Sequence, residues 1–168
     1  MLFRSVFQFG FAPPRNEIAS LEFVEEKHSE LAIASEYNCD IAISSGWHRK
    51  LGREMLERQP CFNIHPSLLP KYRGVLPLEF QLRNKEKIGG VTIHLMDHGF
   101  DSGPIYKQRR FVIIEKDNLT TLMIKACRAA RELLNDFFVE YPNLNMTKQD
   151  ENYATYYSLK DTAQKEKG

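Results

Sequence analysis

The run Ile41-Ala42-Ile43-Ser44-Ser45-Gly46 constrains the fold more than any other stretch of the chain. A short, nearly continuous apolar run that stops at a glycine, just after the break Asn38-Cys39-Asp40, is the pattern of a strand covered on both faces. Such a strand needs helices to cover it, and the flanking sequence supplies them. Before it, residues from about Ala19 to Tyr37 space Leu21, Val24, Leu31 and Ile33 as the apolar side of a Glu- and Lys-rich helix. After it, a helix is expected near Gly52 to Arg58, a second short strand from Cys61 to Ile64, and a further helix from Leu76 to Arg83, beyond Pro66 and Pro70.

The second half adds a different pattern. From Val91 to Met96 the residues alternate, with Val91, Ile93 and Leu95 on one face and Thr92, His94 and Met96 on the other. A turn-rich HGFDSGP stretch leads to another strand, Ile105 to Ile114, so an antiparallel edge pair is expected. Leu122, Ala126, Ala129, Leu133 and Phe137 then recur at helical spacing within Leu119 to Val139. Strands alternating with helices predict an α/β fold, a Rossmann-like and mostly parallel sheet flanked by helices.

A length of 168 residues suits one domain, expected over 1–145 and followed by a polar tail, 146–168. A net charge of +1, with 27% charged residues, gives no general attraction for nucleic acid or membranes. The three cysteines, Cys39, Cys61 and Cys127, are too scattered for a disulfide framework or paired zinc ligands, which makes a reducing cytoplasm the simplest compartment. No stretch approaches the roughly 18 apolar residues of a membrane span. The N-terminal apolar run is broken by Arg4, Gln8 and Gly10 and reads as no targeting signal.

Asn63 and His65 stand two apart at the end of the second strand, so their side chains project together. Pro66 keeps His65 extended. In open α/β sheets, ligands bind at the carboxyl ends of strands, where an amide donor and an imidazole would suit a developing oxyanion. A carboxylate is needed to hold the imidazole and raise its pKa, and Asp97 and Asp101 are the candidates. Gly99 and Gly103 let that loop come close. Two other readings stay open from the residues alone. Asn-x-His and Asp-Ser-Gly-Pro both occur as simple turns, and His65, His94, His98, Asp97 and Asp101 could form a metal site, although they lack helical ligand spacing. By the same reading His94 is a satisfied strand histidine.

The stretch Asn63-Ile64-His65-Pro66-Ser67-Leu68-Leu69-Pro70-Lys71-Tyr72-Arg73-Gly74, followed by Gly90-Val91-Thr92-Ile93-His94 and Met96-Asp97-x-Gly99-x-Asp101-x-Gly103-Pro104, resembles the folate-dependent formyltransferase family. The resemblance covers roughly residues 38–140. It implies formyl transfer from 10-formyltetrahydrofolate to a primary amine, with Asn63, His65 and Asp101 in the catalytic positions and no metal. It further implies a pterin pocket lined by Gly46, Trp47 and Leu51 and by Asp97, Gly99 and Phe100, with Lys71, Tyr72 and Arg73 on the acceptor side.

Family members act on glycinamide ribonucleotide, on methionyl-tRNA or on nucleotide-linked amino sugars. The Ser44-Ser45-Gly46-Trp47 and Ala154-Thr155-Tyr156-Tyr157 stretches are similar to the sugar N-formyltransferases, so a nucleotide sugar is the expected acceptor. The alternatives are the two other acceptors, or a weakly active or inactive folate-binding module. Compared with the family pattern the chain is expected to be shortened at its N-terminus and without the further C-terminal domain of the methionyl-tRNA enzymes. An exposed parallel edge left by that shortening would be covered in a homodimer.

Overall fold

The computed structural model describes residues 41–46 and 51–162. The expected helix from Ala19 to Tyr37, Trp47 and the last six residues lie outside them. Element order is β1 (Ala42–Ser45), α1 (Arg53–Arg58), β2 (Cys61–His65), β3 (Arg73–Gly74), α2 (Pro77–Arg83), β4 (Ile88–Leu95), β5 (Ile105–Val112), α3 (Leu119–Glu140), a 3-10 turn (Glu151–Tyr153), β6 (Tyr156–Tyr157) and α4 (Leu159–Thr162).

Four of these strands form one sheet in the order β1-β2-β4-β5, and β3 pairs with β6 in a second, two-stranded sheet. β1 and β2 run parallel. β4 runs antiparallel to β2 as well as to β5, so among the described strands of the main sheet the antiparallel share is larger than an edge pair. The α/β class stands: helices cover a mixed sheet. A β-bulge interrupts the β4–β5 ladder where Ile93 faces Lys107 and His94 faces Ile105. Such a bulge bends the hairpin locally, at the point where the loop carrying Asp101 leaves the sheet.

The period of two decides what each sheet face does. Ile41, Ile43, Phe62, Ile64, Val91 and Ile93 point one way and bury against Leu122, Ala126, Ala129, Leu133 and Phe137 of α3. Phe62 packs edge-on against Phe137 at 4.8 Å. Each fully buried Leu, Ile or Phe here contributes about 1.5–3 kcal/mol, which outweighs the modest helix propensity of α3 itself. The helix begins in a capping box, with the Asn118 side chain accepting from Thr121 N–H and the Thr121 hydroxyl accepting from Asn118 N–H.

The opposite face carries Ser44, Asn63, His65, Thr92 and His94, all of them buried. Register sets them side by side: Ser44 lies beside Asn63 across the parallel ladder, Asn63 beside His94 and His65 beside Thr92 across the antiparallel one. Five polar side chains grouped on one buried face must be satisfied by one another, by nearby backbone or by a ligand.

Candidate active site

Asn63 is oriented by its neighbour. Ser44 Oγ donates to Asn63 Oδ1 at 2.8 Å, so the amide nitrogen faces away from β1, and Nδ2 donates to Asp101 Oδ1 at 3.2 Å. His94 Nε2 lies 3.5 Å from the same amide nitrogen.

The two ring nitrogens of His65 have different tasks. Nε2 lies 2.7 Å from the carbonyl of Tyr72, which can only accept, so Nε2 carries a hydrogen. That leaves Nδ1 as the nitrogen that gains or loses a proton, and it faces Asp101 Oδ2 at 3.5 Å. In His94, Nδ1 donates to Leu95 O at 2.9 Å, and Nε2 faces Asp101 Oδ1 at 3.5 Å.

Asp101 therefore sits at the centre, one oxygen toward Asn63 and His94, the other toward His65. Its second oxygen also accepts from the Gly74 N–H at 2.8 Å. The residue occupies a left-handed backbone conformation, φ +54°, which is uncommon outside glycine. Gly74 must be glycine for this to work. Its φ is +92°, and a Cβ there would lie 2.1 Å from the Tyr157 carbonyl oxygen.

Burial pushes the Asp101 carboxyl up, but the positive charge that His65 carries when its imidazole is protonated, the adjacent His94 and the Gly74 N–H outweigh it and hold the group well below the usual carboxylate range. Burial likewise dominates at His65 and pulls its imidazole down from the ordinary 6.5, against the opposing pull of Asp101 and of the Tyr72 carbonyl. The sequence led to the expectation of a carboxylate raising the His65 pKa. The carboxylate is there and acts in that direction, but loss of solvent is the larger effect. His65 is thus a neutral proton acceptor at Nδ1 beside a fixed negative charge.

These groups open onto a pocket of about 570 Å³, within the range of small-molecule sites. Asn63, His65 and Asp101 line it, as do Gly46, Leu51, Asp97, Gly99 and Phe100 of the expected pterin pocket. Of the two carboxylates considered from sequence, Asp97 does not face His65: its Oδ1 accepts from Gly99 N–H at 2.9 Å and Ser102 Oγ at 2.8 Å, closing its own loop. Lys71, Tyr72 and Arg73 do not line this pocket. Lys71 is exposed, Tyr72 is buried with its hydroxyl donating to Glu86 at 2.7 Å, and Arg73 is buried against Gln149 and Glu151. The Tyr72 carbonyl holds His65, the Arg73 N–H donates to the Thr155 carbonyl, and it is the next residue, Gly74, whose N–H holds Asp101. His98, one member of the conceivable metal cluster, is exposed. Among the described residues no group of three or more His, Cys, Asp and Glu side chains is arranged to hold a metal ion, and no helix is long and apolar enough to cross a membrane.

Sequence reasoning missed Ser44, and considered His94 only as a metal ligand or a satisfied strand histidine, not as a neighbour of Asn63 and Asp101. The signal was present for His94, since it shares a strand face with Thr92, but only the register with β2 shows which residue it meets.

A sequence profile described as formyl transferase matches residues 13–137. The chain belongs to the formyl transferase family. Among relatives of this formyl transferase domain, the methionyl-tRNA formyltransferase of Kosmotoga olearia is 41% identical over 125 residues, covering 72% of this chain and 40% of that protein. The chain thus spans well under half the length of such curated relatives. Among solved structures, the N-formyltransferase of Helicobacter canadensis, in complex with folinic acid and dTDP-3-aminofucose, superposes with a TM-score of 0.70 at 28% identity over 82% of this chain and 51% of its own. The formyltransferase PseJ of Anoxybacillus kamchatkensis shares the fold at a TM-score of 0.73 and 24% identity, over 95% of this chain and 88% of its own.

Proposed function

We propose that this domain transfers a formyl group from 10-formyltetrahydrofolate to a primary amine. The observation that carries the reading is the convergence of Asn63 Nδ2, His65 Nδ1 and the Asp101 carboxylate at one end of a single pocket. The pocket fits a reduced folate in size and chemistry, with Leu51, Met96 and Phe100 offering apolar faces and Asp97 a carboxylate toward a polar ring edge. The folate supplies an electrophilic formyl carbon bonded to a nitrogen that can leave.

This chain's residues supply the rest. As the amine nitrogen adds to the formyl carbon, negative charge grows on the formyl oxygen, and the Asn63 amide, aimed by Ser44, donates to it. The attacking nitrogen becomes positive and gives its proton to His65 Nδ1, where Asp101 stabilises the imidazolium formed. The bond from carbon to the folate nitrogen then breaks, and the proton held at His65 goes to that nitrogen. The products are a formamide and tetrahydrofolate, so the proton balance closes without any other reactant.

For the acceptor, we infer the amino group of a nucleotide-linked sugar. Neighbouring structures support this, including a sugar N-formyltransferase of Shewanella with a TM-score of 0.69 at 26% identity. A second reading, methionyl-tRNA, is favoured by the curated relatives at up to 42% identity. The two are separated by supplying 10-formyltetrahydrofolate with dTDP-3-aminofucose or with methionyl-tRNA and following formamide formation by mass spectrometry. Turnover on the sugar nucleotide alone supports the first reading, and turnover on the tRNA alone overturns it.

A further inference from the structure

The residues after α3 hold the site together in a way that no part of the family match explains, since that match ends at residue 137. Gln149 is buried, and its side-chain amide has four partners of unambiguous polarity. Its Oε1 accepts from Arg73 Nε at 3.2 Å and Nη2 at 2.8 Å, and its Nε2 donates to the carbonyls of Asp101 at 2.8 Å and Gly103 at 2.7 Å. A guanidinium can only donate and a carbonyl can only accept, so the amide has one possible orientation.

Arg73 is itself fixed on its other side by Glu151, through Nη1 at 2.9 Å and Nη2 at 2.8 Å. Its backbone belongs to β3, whose neighbours grip both catalytic side chains. Tyr72 O receives His65 Nε2–H, and Gly74 N–H donates to Asp101 Oδ2. Thr155 holds the same short strand in place, with its hydroxyl accepting from Tyr72 N–H at 2.8 Å and its carbonyl accepting from Arg73 N–H at 2.9 Å. One side chain, Gln149, therefore joins the segment that sets the Asp101 backbone to the segment that sets its carboxylate.

We propose that Gln149 is a positioning residue for the transfer reaction: anchored by Arg73, it clamps the carbonyls of Asp101 and Gly103 and so keeps the left-handed Asp101 with its carboxylate on His65 Nδ1. Its catalytic consequence rests on the formyl-transfer reading above, whereas its geometric consequence does not. A carboxylate at position 149 would still pair with Arg73 but would turn an oxygen toward two carbonyl oxygens, so Gln149→Glu separates anchoring from clamping. Gln149→Met keeps the length of the side chain and removes both functions, and it replaces Gln149→Ala if the smaller residue prevents folding.

Two readouts decide. In steady-state kinetics, Gln149→Glu and Gln149→Met lower kcat by about tenfold to a hundredfold, as expected for misplacement of a reacting group by about an ångström, with KM for the folate within about threefold of wild type. In nitrogen NMR of the imidazole side chains, the His65 Nδ1 resonance moves and His65 titrates at lower pH than in the wild type, because the Asp101 charge that opposes the effects of burial and of His94 has drifted away. If wild-type protein turns over no amine, the formyl-transfer reading fails, and the NMR readout alone still decides the clamp. Folded Gln149→Glu and Gln149→Met proteins with wild-type His65 resonances and titration, or with kcat within twofold of an active wild type, overturn the proposal.

Discussion

At the scale of single residues, the site is a set of groups whose polar atoms are nearly all assigned. Asn63 is aimed by Ser44 on one side and Asp101 on the other, so Asn63→Ala should lower kcat about a hundred- to a thousandfold, the usual effect of losing one oxyanion donor, with little change in melting temperature. Ser44→Ala should give a smaller loss, about tenfold, because it frees the amide to rotate without removing it. The pH behaviour follows from burial. His65 has a folded pKa below its unfolded 6.5, so the unfolded chain binds the extra proton first, and stability present above about pH 6.5 is lost as pH falls toward the folded value. Asp101 is also depressed, from an ordinary 3.8, and its contribution is lost only below that. Stability is therefore expected to fall in two pH windows, one below about 6.5 and one below 3.8, and Asp101→Asn should remove the second and deepen the first, because the carboxylate no longer opposes the lowering of His65, as urea titrations from pH 7 down to pH 2 would show. The same depression places the acid limb of kcat/KM below pH 6.5. A limb above pH 7 would contradict a neutral His65.

At the scale of elements, the sequence showed strands and helices well where one period governs. The alternation of Val91 to Leu95 and the helical spacing of Leu122 to Phe137 correspond to β4 and α3, and the antiparallel pairing of β4 with β5 was expected from the turn between them. Asn63 and His65 were legible as a pair because a strand repeats every two residues. Asp101 was legible through its motif, whose resemblance set it apart from Asp97, but spacing alone did not separate the two, because that depends on which oxygen the loop turns toward the sheet. Nor could the antiparallel contact of β2 with β4 be read, since register across strands distant in sequence leaves no mark in either one. The polar stretch 146–168 was expected as a tail, yet residues 147–157 pair with Ile105 and β3 and stack Tyr157 on Tyr72 and Phe80. Its polarity satisfies other buried groups. Gly74 stands where this segment crosses β3, and Gly74→Ala should cost ~2 kcal/mol or more in a urea titration, from the left-handed backbone and the contact with Tyr157 O together.

At the scale of the molecule, a mixed sheet divides its labour between faces. One face packs on α3 and provides stability, so Leu133→Ala should destabilise by about 2–5 kcal/mol without altering the pH dependence of any activity. The other face carries Asn63, His65 and His94 to the pocket, with Ser44 behind Asn63, and two separate segments that include Gly74 and Asp101 meet over them. Membership of the formyl transferase family and the meeting of Asn63, His65 and Asp101 at one pocket are two separate observations. They leave the claim that these residues transfer a formyl group to be decided by chemistry, under single-turnover conditions with excess protein over 10-formyltetrahydrofolate carrying an isotopic label in the formyl group. The expected result is label recovered as a formamide on the acceptor amine, with equimolar tetrahydrofolate, and that product lost in Asn63→Ala and His65→Ala. Label remaining on the folate with dTDP-3-aminofucose and with methionyl-tRNA alike, or transfer undiminished in both variants, would contradict it.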